Sequence, residues 1–154
     1  MSKRNVVKVF SAIDKFNRAI DEHFLEIKKD AAEEWRQGII GLMKEPKHGK
    51  EYKRPGGGRY TASAPGEAPA IRTGDLAESY EVRVHFKSQK VMIGTPLRYG
   101  FFLERGTRKM AKRPHIRPGF TAARPEIERK LGRPIRDNDF IIPGGIPGAR
   151  NRRR

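Results

Sequence analysis

The sequence predicts an α+β fold, in which a long N-terminal amphipathic helix packs on a small antiparallel β-sheet and is followed by a short C-terminal helix. Three observations carry that reading: an apolar repeat at spacings of three and four over residues 11–43, a strict apolar/polar alternation over residues 80–87, and a second helical repeat over residues 120–131. A chain of 154 residues suffices for one hydrophobic core with extensions. The division expected is a single domain over residues 1–131, carrying a long loop at 44–72, and a basic extended C-terminal arm over 132–154.

The first helix is read from Ile13, Phe16, Ile20, Phe24, Ile27, Ala31, Trp35, Ile39 and Met43, which fall on one face. Ser11 with Asp14 resembles a capping-box start, and Pro46 supplies the stop. At 1.5 Å per residue it spans roughly 45 to 50 Å, more than a domain this small needs, so part of it is expected to project or to pack on another subunit. Its acids outnumber its bases, whereas the segments after it are strongly basic.

Residues 44–72, "KEPKHGKEYKRPGGGRYTASAPGEAPAIR", are rich in Gly, Pro and Lys without an apolar period, which predicts a long exposed loop or a linker that orders on assembly. Tyr80, Val82, Val84 and Phe86 alternate with Glu81, Arg83, His85 and Lys87, the pattern of a strand buried on one face. Residues 90–95, "KVMIGT", are its antiparallel partner across a turn at Ser88 and Gln89. Phe120, Ala123, Ile127 and Leu131 give the second helix, which Pro125 must either kink or begin. In the tail, Phe140, Ile141 and Ile142 form one apolar cluster suited to an arm that docks on a neighbour.

Composition narrows the function. With 34 Lys and Arg against 18 Asp and Glu the net charge is +16, so an anionic partner or charged neighbours are expected. There is no cysteine and the four histidines lack ligand spacing, which argues against a metal site or a disulfide framework, and no cofactor is expected. "PGGGRYTAS" lacks the Lys-Ser/Thr of a phosphate-binding loop. No nucleophile–base motif occurs, and outside the first helix the acids are few and separated, so no catalytic role is expected. No run of eighteen apolar residues and no signal-type N-terminus is present, which predicts a cytoplasmic protein without membrane contact. Roughly a dozen net positive charges between residue 98 and the C-terminus favour nonspecific phosphate attraction, without any sequence-reading motif.

The stretch "YGFFLERGTRKMAKRPHIRP", residues 99–118, is read as a rigid corner between sheet and second helix. Tyr99, Phe102 and Leu103 share a helical face directed inward, and Gly106 ends that turn in a left-handed cap. Each Arg-Pro step forces extended backbone, and Pro118 suits the first turn of the second helix. Glu104 is placed to receive an arginine fork from Arg113 or Arg117.

At these residues the chain resembles the tail-component, neck and tail-completion proteins of lambdoid and related long-tailed phages. Two blocks carry the likeness: "SAPGEAPAIRTGDLAESY", residues 63–80, and the corner itself, in the family's order and spacing over about residues 5–131. Arg105, His115 and Gly119 stand where the family favours an aromatic residue, Phe and Ala. The resemblance implies a structural virion protein that forms a ring of about six or twelve copies at the neck and joins the DNA-filled head to the tail. Its partners would be copies of itself, portal, adaptor or head-closure proteins, and the tail terminator or tail tube, after assembly in the host cytoplasm. Thr73, Gly74, Leu76, Tyr99, Phe102, Leu103, Glu104, Gly106, Thr107, Arg113, Pro114, Arg117 and Pro118 become packing or subunit-interface positions. Lys47, Lys50, Lys53, Arg54 and Arg59 are candidates to line a channel for genomic DNA. The alternative is a stand-alone nonspecific nucleic-acid-binding protein.

Overall fold

The computed structural model describes residues 3–54 and 56–135, with side chains from residue 15 onward apart from residue 16. The fold is α+β. In chain order it comprises α1 (Lys3–Lys44), β1 (Glu51–Lys53), β2 (Arg59–Thr61), α2 (Asp75–Glu78), β3 (Glu81–His85), β4 (Lys90–Gly94), α3 (Arg98–Arg105) and α4 (Ile116–Leu131). The strands form two separate two-stranded antiparallel sheets, β1–β2 and β3–β4. None of the described helices is long and apolar enough to cross a membrane.

The first helix begins at Lys3, so Ser11 and Asp14 lie inside it and do not mark its start. No Gly or Pro interrupts residues 3–37, and without a breaker the helix continues past a cap-like residue. Among the described residues of its stripe, Ala31, Trp35, Ile39 and Met43 are enclosed, whereas Ile20 and Phe24 are 37% and 56% exposed.

The principal partner of α1 is α4, with β3–β4 beside it. The two helices meet backbone to backbone. A Cβ added at Gly38 would lie 2.4 Å from the carbonyl oxygen of Gly119, and one at Gly119 only 2.6 Å from Ile39 Cγ1 and 2.8 Å from its backbone. Two side chains of the wrong size would wedge this crossing apart. Around it, Trp35 donates through Nε1 to the carbonyl of Ile116 at 2.8 Å and meets Phe120 edge to face at 5.0 Å. Lys130 pairs with Glu34 at 2.8 Å on the rim. Ile39 and Ile127 are fully enclosed, and burying each is worth about 1.5 to 3 kcal/mol.

Helix α4 runs through Pro125 to Leu131, so that proline is neither its start nor its end. Pro118 does occupy the first turn. Ile135, beyond the helix, is also buried, held by its amide to Glu128 and by its carbonyl to Arg124.

In β3–β4, Val82 pairs with Ile93 and Val84 with Val91, and these half-buried residues form the inward face against α1. The turn passes through Phe86–Ser88 and Gln89, whose φ of 52° is left-handed, and the Gln89 carbonyl accepts from Lys28 at 3.1 Å. Phe86 belongs to that turn and is 69% exposed, so the inward alternation stops at Val84.

Residues 44–72 contain more structure than their composition suggested. Tyr52 pairs with Tyr60 across β1–β2, and the rings stack with centroids 5.7 Å apart. The segment is also anchored within the chain: Glu67 accepts from the amides of Ala64 and His48 and from the His48 ring. Those bonds hold its carboxyl down to about 2. Ordering here uses local cross-strand and loop contacts that carry no apolar period, which is why periodicity overlooked it.

Candidate functional site

The two sequence blocks come together around Leu76 and Tyr80. In the first, Thr73 donates to Asp75 at 2.8 Å, and Gly74, at φ 104°, precedes the single turn of α2. That turn buries Leu76 and Ala77, and Tyr80 follows at 2% exposure. Leu76 abuts Gly100 of α3, where a Cβ would lie 3.1 Å from Leu76 Cδ1. Ser79 bridges the Leu76 carbonyl and the Thr95 hydroxyl, at 2.8 and 2.7 Å.

The second block turns on Glu104 and His115. Glu104 Oε2 accepts from the amides of His115 and Ile116, at 2.7 and 3.0 Å, so a side chain of α3 caps the N-terminus of α4. The same oxygen lies 3.0 Å from His115 Nδ1, which also faces the Arg113 carbonyl at 3.0 Å. Both neighbours are acceptors, so Nδ1 carries the proton and the opposite nitrogen, Nε2, accepts from the Tyr80 hydroxyl at 2.6 Å. The result is a continuous Glu104–His115–Tyr80 chain joining α3, α4 and the start of β3. Burial raises the Glu104 carboxyl, but the His115 ring and the two amides outweigh it and leave its pKa below the ordinary value. Burial, reinforced by the Glu104 carboxylate, pushes the Tyr80 phenol upward, so it stays protonated.

His115 is fully enclosed and Tyr80 nearly so, whereas the Glu104 carboxylate at the other end of the chain is partly exposed. The chemistry of this chain is that of a lock between three elements. Among the described residues no group of three or more His, Asp or Glu side chains is placed to hold a metal ion.

Arg113 does not fork onto Glu104, and neither does Arg117. Arg113 donates to the hydroxyl and carbonyl of buried Ser63, with Nε 2.7 Å from Oγ, while its amide donates to the Leu103 carbonyl at 2.6 Å. Glu104 Oε2 is already taken by two amides and the imidazole, and Ser63 offers the guanidinium two acceptors. Arg117 is exposed at the start of α4, and Pro114 is half-buried.

Gly106 ends α3, its amide bonding to the Phe102 carbonyl at 2.7 Å, but its ψ of 176° makes it an extended turn-out and not a left-handed cap. With φ at 76°, a Cβ there would lie 2.8 Å from the Lys112 amide and 2.9 Å from the Met110 carbonyl. Close backbone approach and positive φ together require glycine. Thr107 and Met110 then bridge through paired backbone bonds.

The aromatics of the corner face outward. Tyr99, Phe101 and Phe102 are 45%, 50% and 46% exposed, while Gly100 and Leu103 make the inward contacts of α3. Phe101 and Phe102 meet edge to face at 5.8 Å, and Arg105 lies 5.2 Å above Phe101. Spacing put Tyr99, Phe102 and Leu103 on one stripe; a helix of eight residues has room for only one inward row, and Gly100 with Leu103 fills it.

Of the loop cations, Lys47 donates to the Leu42 carbonyl at 2.6 Å and Arg59 pairs with Glu51 at 2.9 Å, so both are engaged within the chain. Lys50, Lys53 and Arg54 are exposed and make no ion pair among the described residues. Phe140, Ile141 and Ile142 lie outside the described residues.

Sequence reasoning missed His115, Tyr80 as a hydrogen-bonding residue, Ser63, Phe101 and the Tyr52–Tyr60 pair. A signal existed for His115, a polar residue between two Arg-Pro steps at the start of a helix. The other partners are far apart in the chain and gave none.

Fold and corner define a small α+β protein whose buried polar lock supports an outward aromatic face. No family model, no curated protein and no solved structure matches the chain.

Proposed function

We propose that the protein is a structural subunit that assembles with copies of itself into a ring at the neck of a long-tailed phage, joining the DNA-filled head to the tail. The observation that carries this reading is the exposed row of Tyr99, Phe101 and Phe102 on α3, held rigid by the Glu104–His115–Tyr80 lock. A strongly charged chain keeps three adjacent aromatics in water at a cost that burial against a neighbour removes. Exposed Ile20 and Phe24, on a helix longer than its own core requires, are a second apolar surface of different shape. Two unlike patches suit head-to-tail contacts, which form a ring when the rotation between copies closes. The two sequence blocks that resemble neck and tail-completion proteins support the same assignment.

The test is genetic and microscopic. Phage lacking the protein should yield filled heads and separate tails, and a Phe101→Ser/Phe102→Ser variant should remain folded while failing to restore joined particles. Normal infectious particles assembled without the protein would sink the proposal. The second reading, a nonspecific nucleic-acid-binding protein, is favoured by the unpaired cations of the β1–β2 hairpin and calls for salt-sensitive binding by the free subunit.

A further inference from the structure

The geometry points to one face of the β1–β2 hairpin, with the cleft beneath it, as a binding site for the phosphodiester backbone of duplex DNA. It rests on the reading that DNA passes the assembled subunits. Alternate residues of an extended strand share a face, and here residues 50, 52 and 54 are Lys, Tyr and Arg. The ladder extends to both ends of that row, since the Lys50 carbonyl accepts from Ala62 and the Arg54 amide donates to Gly58. Lys50 Nζ lies 6.0 Å from the centre of the Tyr52 ring, confirming the shared face, and Tyr52 is stacked on Tyr60.

Tyr60 and Arg54 also line an open cleft of about 340 Å³ between the hairpin and the end of α1, where Lys44 and Lys47 add two cations against the single acid Glu45. Lys47 is committed to the Leu42 carbonyl, which leaves Lys44, Lys50 and Arg54 without an ion pair among the described residues. Elsewhere, Arg36, Arg83, Arg124, Arg129 and Lys130 are matched to glutamates, while exposed Arg98, Arg108, Lys109, Lys112 and Arg117 make no ion pair among the described residues. The opposite face of the hairpin is different again: Arg59 is paired with Glu51, and Lys53 is Arg59's cross-strand neighbour. The faces therefore differ in net charge: Lys50 and Arg54 are unopposed on one, whereas Glu51 offsets one of the two cations, Lys53 and Arg59, on the other. Two tyrosines stiffen the more positive side, and a two-stranded ribbon is narrow enough to enter a major groove about 12 Å wide. The side chains offered are those that grip phosphates, so the contact is independent of sequence.

Two double variants of the full chain share a hairpin and a charge change but differ in face: Lys50→Gln/Arg54→Gln and Lys53→Gln/Arg59→Gln. Binding to a fluorescent duplex of random sequence is measured by anisotropy across a salt series, with circular dichroism confirming that both variants fold. The first should weaken binding about tenfold or more at moderate salt and lower the slope of log K against log salt by roughly 1.8, the loss of two phosphate contacts. The second should change the slope by less than half as much. Equal losses would overturn the site, since they would reflect net charge alone, and so would an unchanged first variant or a wild-type chain that does not bind. A single-stranded probe bound more tightly than the duplex would overturn the assignment to duplex DNA. The neck proposal stands or falls separately, on particle assembly.

Discussion

Replacing Glu104 by alanine is the most informative single perturbation of the lock. It removes the acceptor for the His115 and Ile116 amides and the charge facing His115 Nδ1, at 2.7, 3.0 and 3.0 Å. Losing a helix cap costs about 0.5 to 2 kcal/mol, and a hydrogen bond to a charged group contributes about 1.5 to 3 kcal/mol. These bonds share one carboxylate and are not additive, so the expected loss is about 2 to 4 kcal/mol. For a chain of this size that lowers the melting temperature by about 6 to 12 °C. The pH dependence has a definite sign. The folded-state pKa of Glu104 lies below its ordinary value of 4.5, so its contribution is complete above that value and is lost as pH falls through the folded pKa. The stability gap between wild type and Glu104→Ala, measured by urea denaturation, should therefore be widest near neutrality and shrink in acid. The other carboxylates held low, Glu33, Glu67, Glu126 and Glu128, titrate equally in both proteins and cancel in the difference. Glu104→Gln keeps an acceptor without a charge, so its gap to wild type should be smaller but shrink in acid in the same way, while the difference between the two variants stays flat with pH. A Glu104→Ala loss below about 1 kcal/mol, or one that does not change between about pH 7 and about pH 3, would refute the capping role.

Two further predictions concern close approach. Gly119→Ala should destabilise the α1–α4 crossing by at least about 1 to 3 kcal/mol, because its Cβ would lie 2.6 Å from Ile39 Cγ1 and 2.8 Å from backbone; unaltered thermal unfolding would show that the helices do not cross this tightly. Gly106→Val should impair folding or assembly through its positive φ and the 2.8 Å approach to Lys112, and Leu103→Ala should cost about 2 kcal/mol through a partial cavity. A Gly106→Val chain that folds and assembles normally would disprove the tight turn.

Gly119, together with Gly38, allows the backbones of α1 and α4 to touch. His115 is matched by two polar partners, Tyr80 and Glu104, that a Phe ring could not satisfy.

Much of the architecture was written in local pattern. Spacings of three and four placed α1 and α4, alternation placed β3 and β4, and the Pro-Gly punctuation located the corner, because helix and strand periods are properties of consecutive residues. Which side of a stripe is buried was not written there. Ile20 and Ala31 obey the same period, yet only the second is buried, and Tyr99 and Leu103 share a face until Gly100 draws α3 inward along another line. The partners of Glu104, Arg113 and His115 were equally invisible, since the Tyr80–His115 bond spans 35 residues and the Arg113–Ser63 bond 50. By itself the sequence determined α1, the β3–β4 hairpin, α4, their order and the charge. The tertiary structure decided which polar groups close on one another and which aromatics stay in water, because both depend on how distant elements pack and not on the spacing within any one of them.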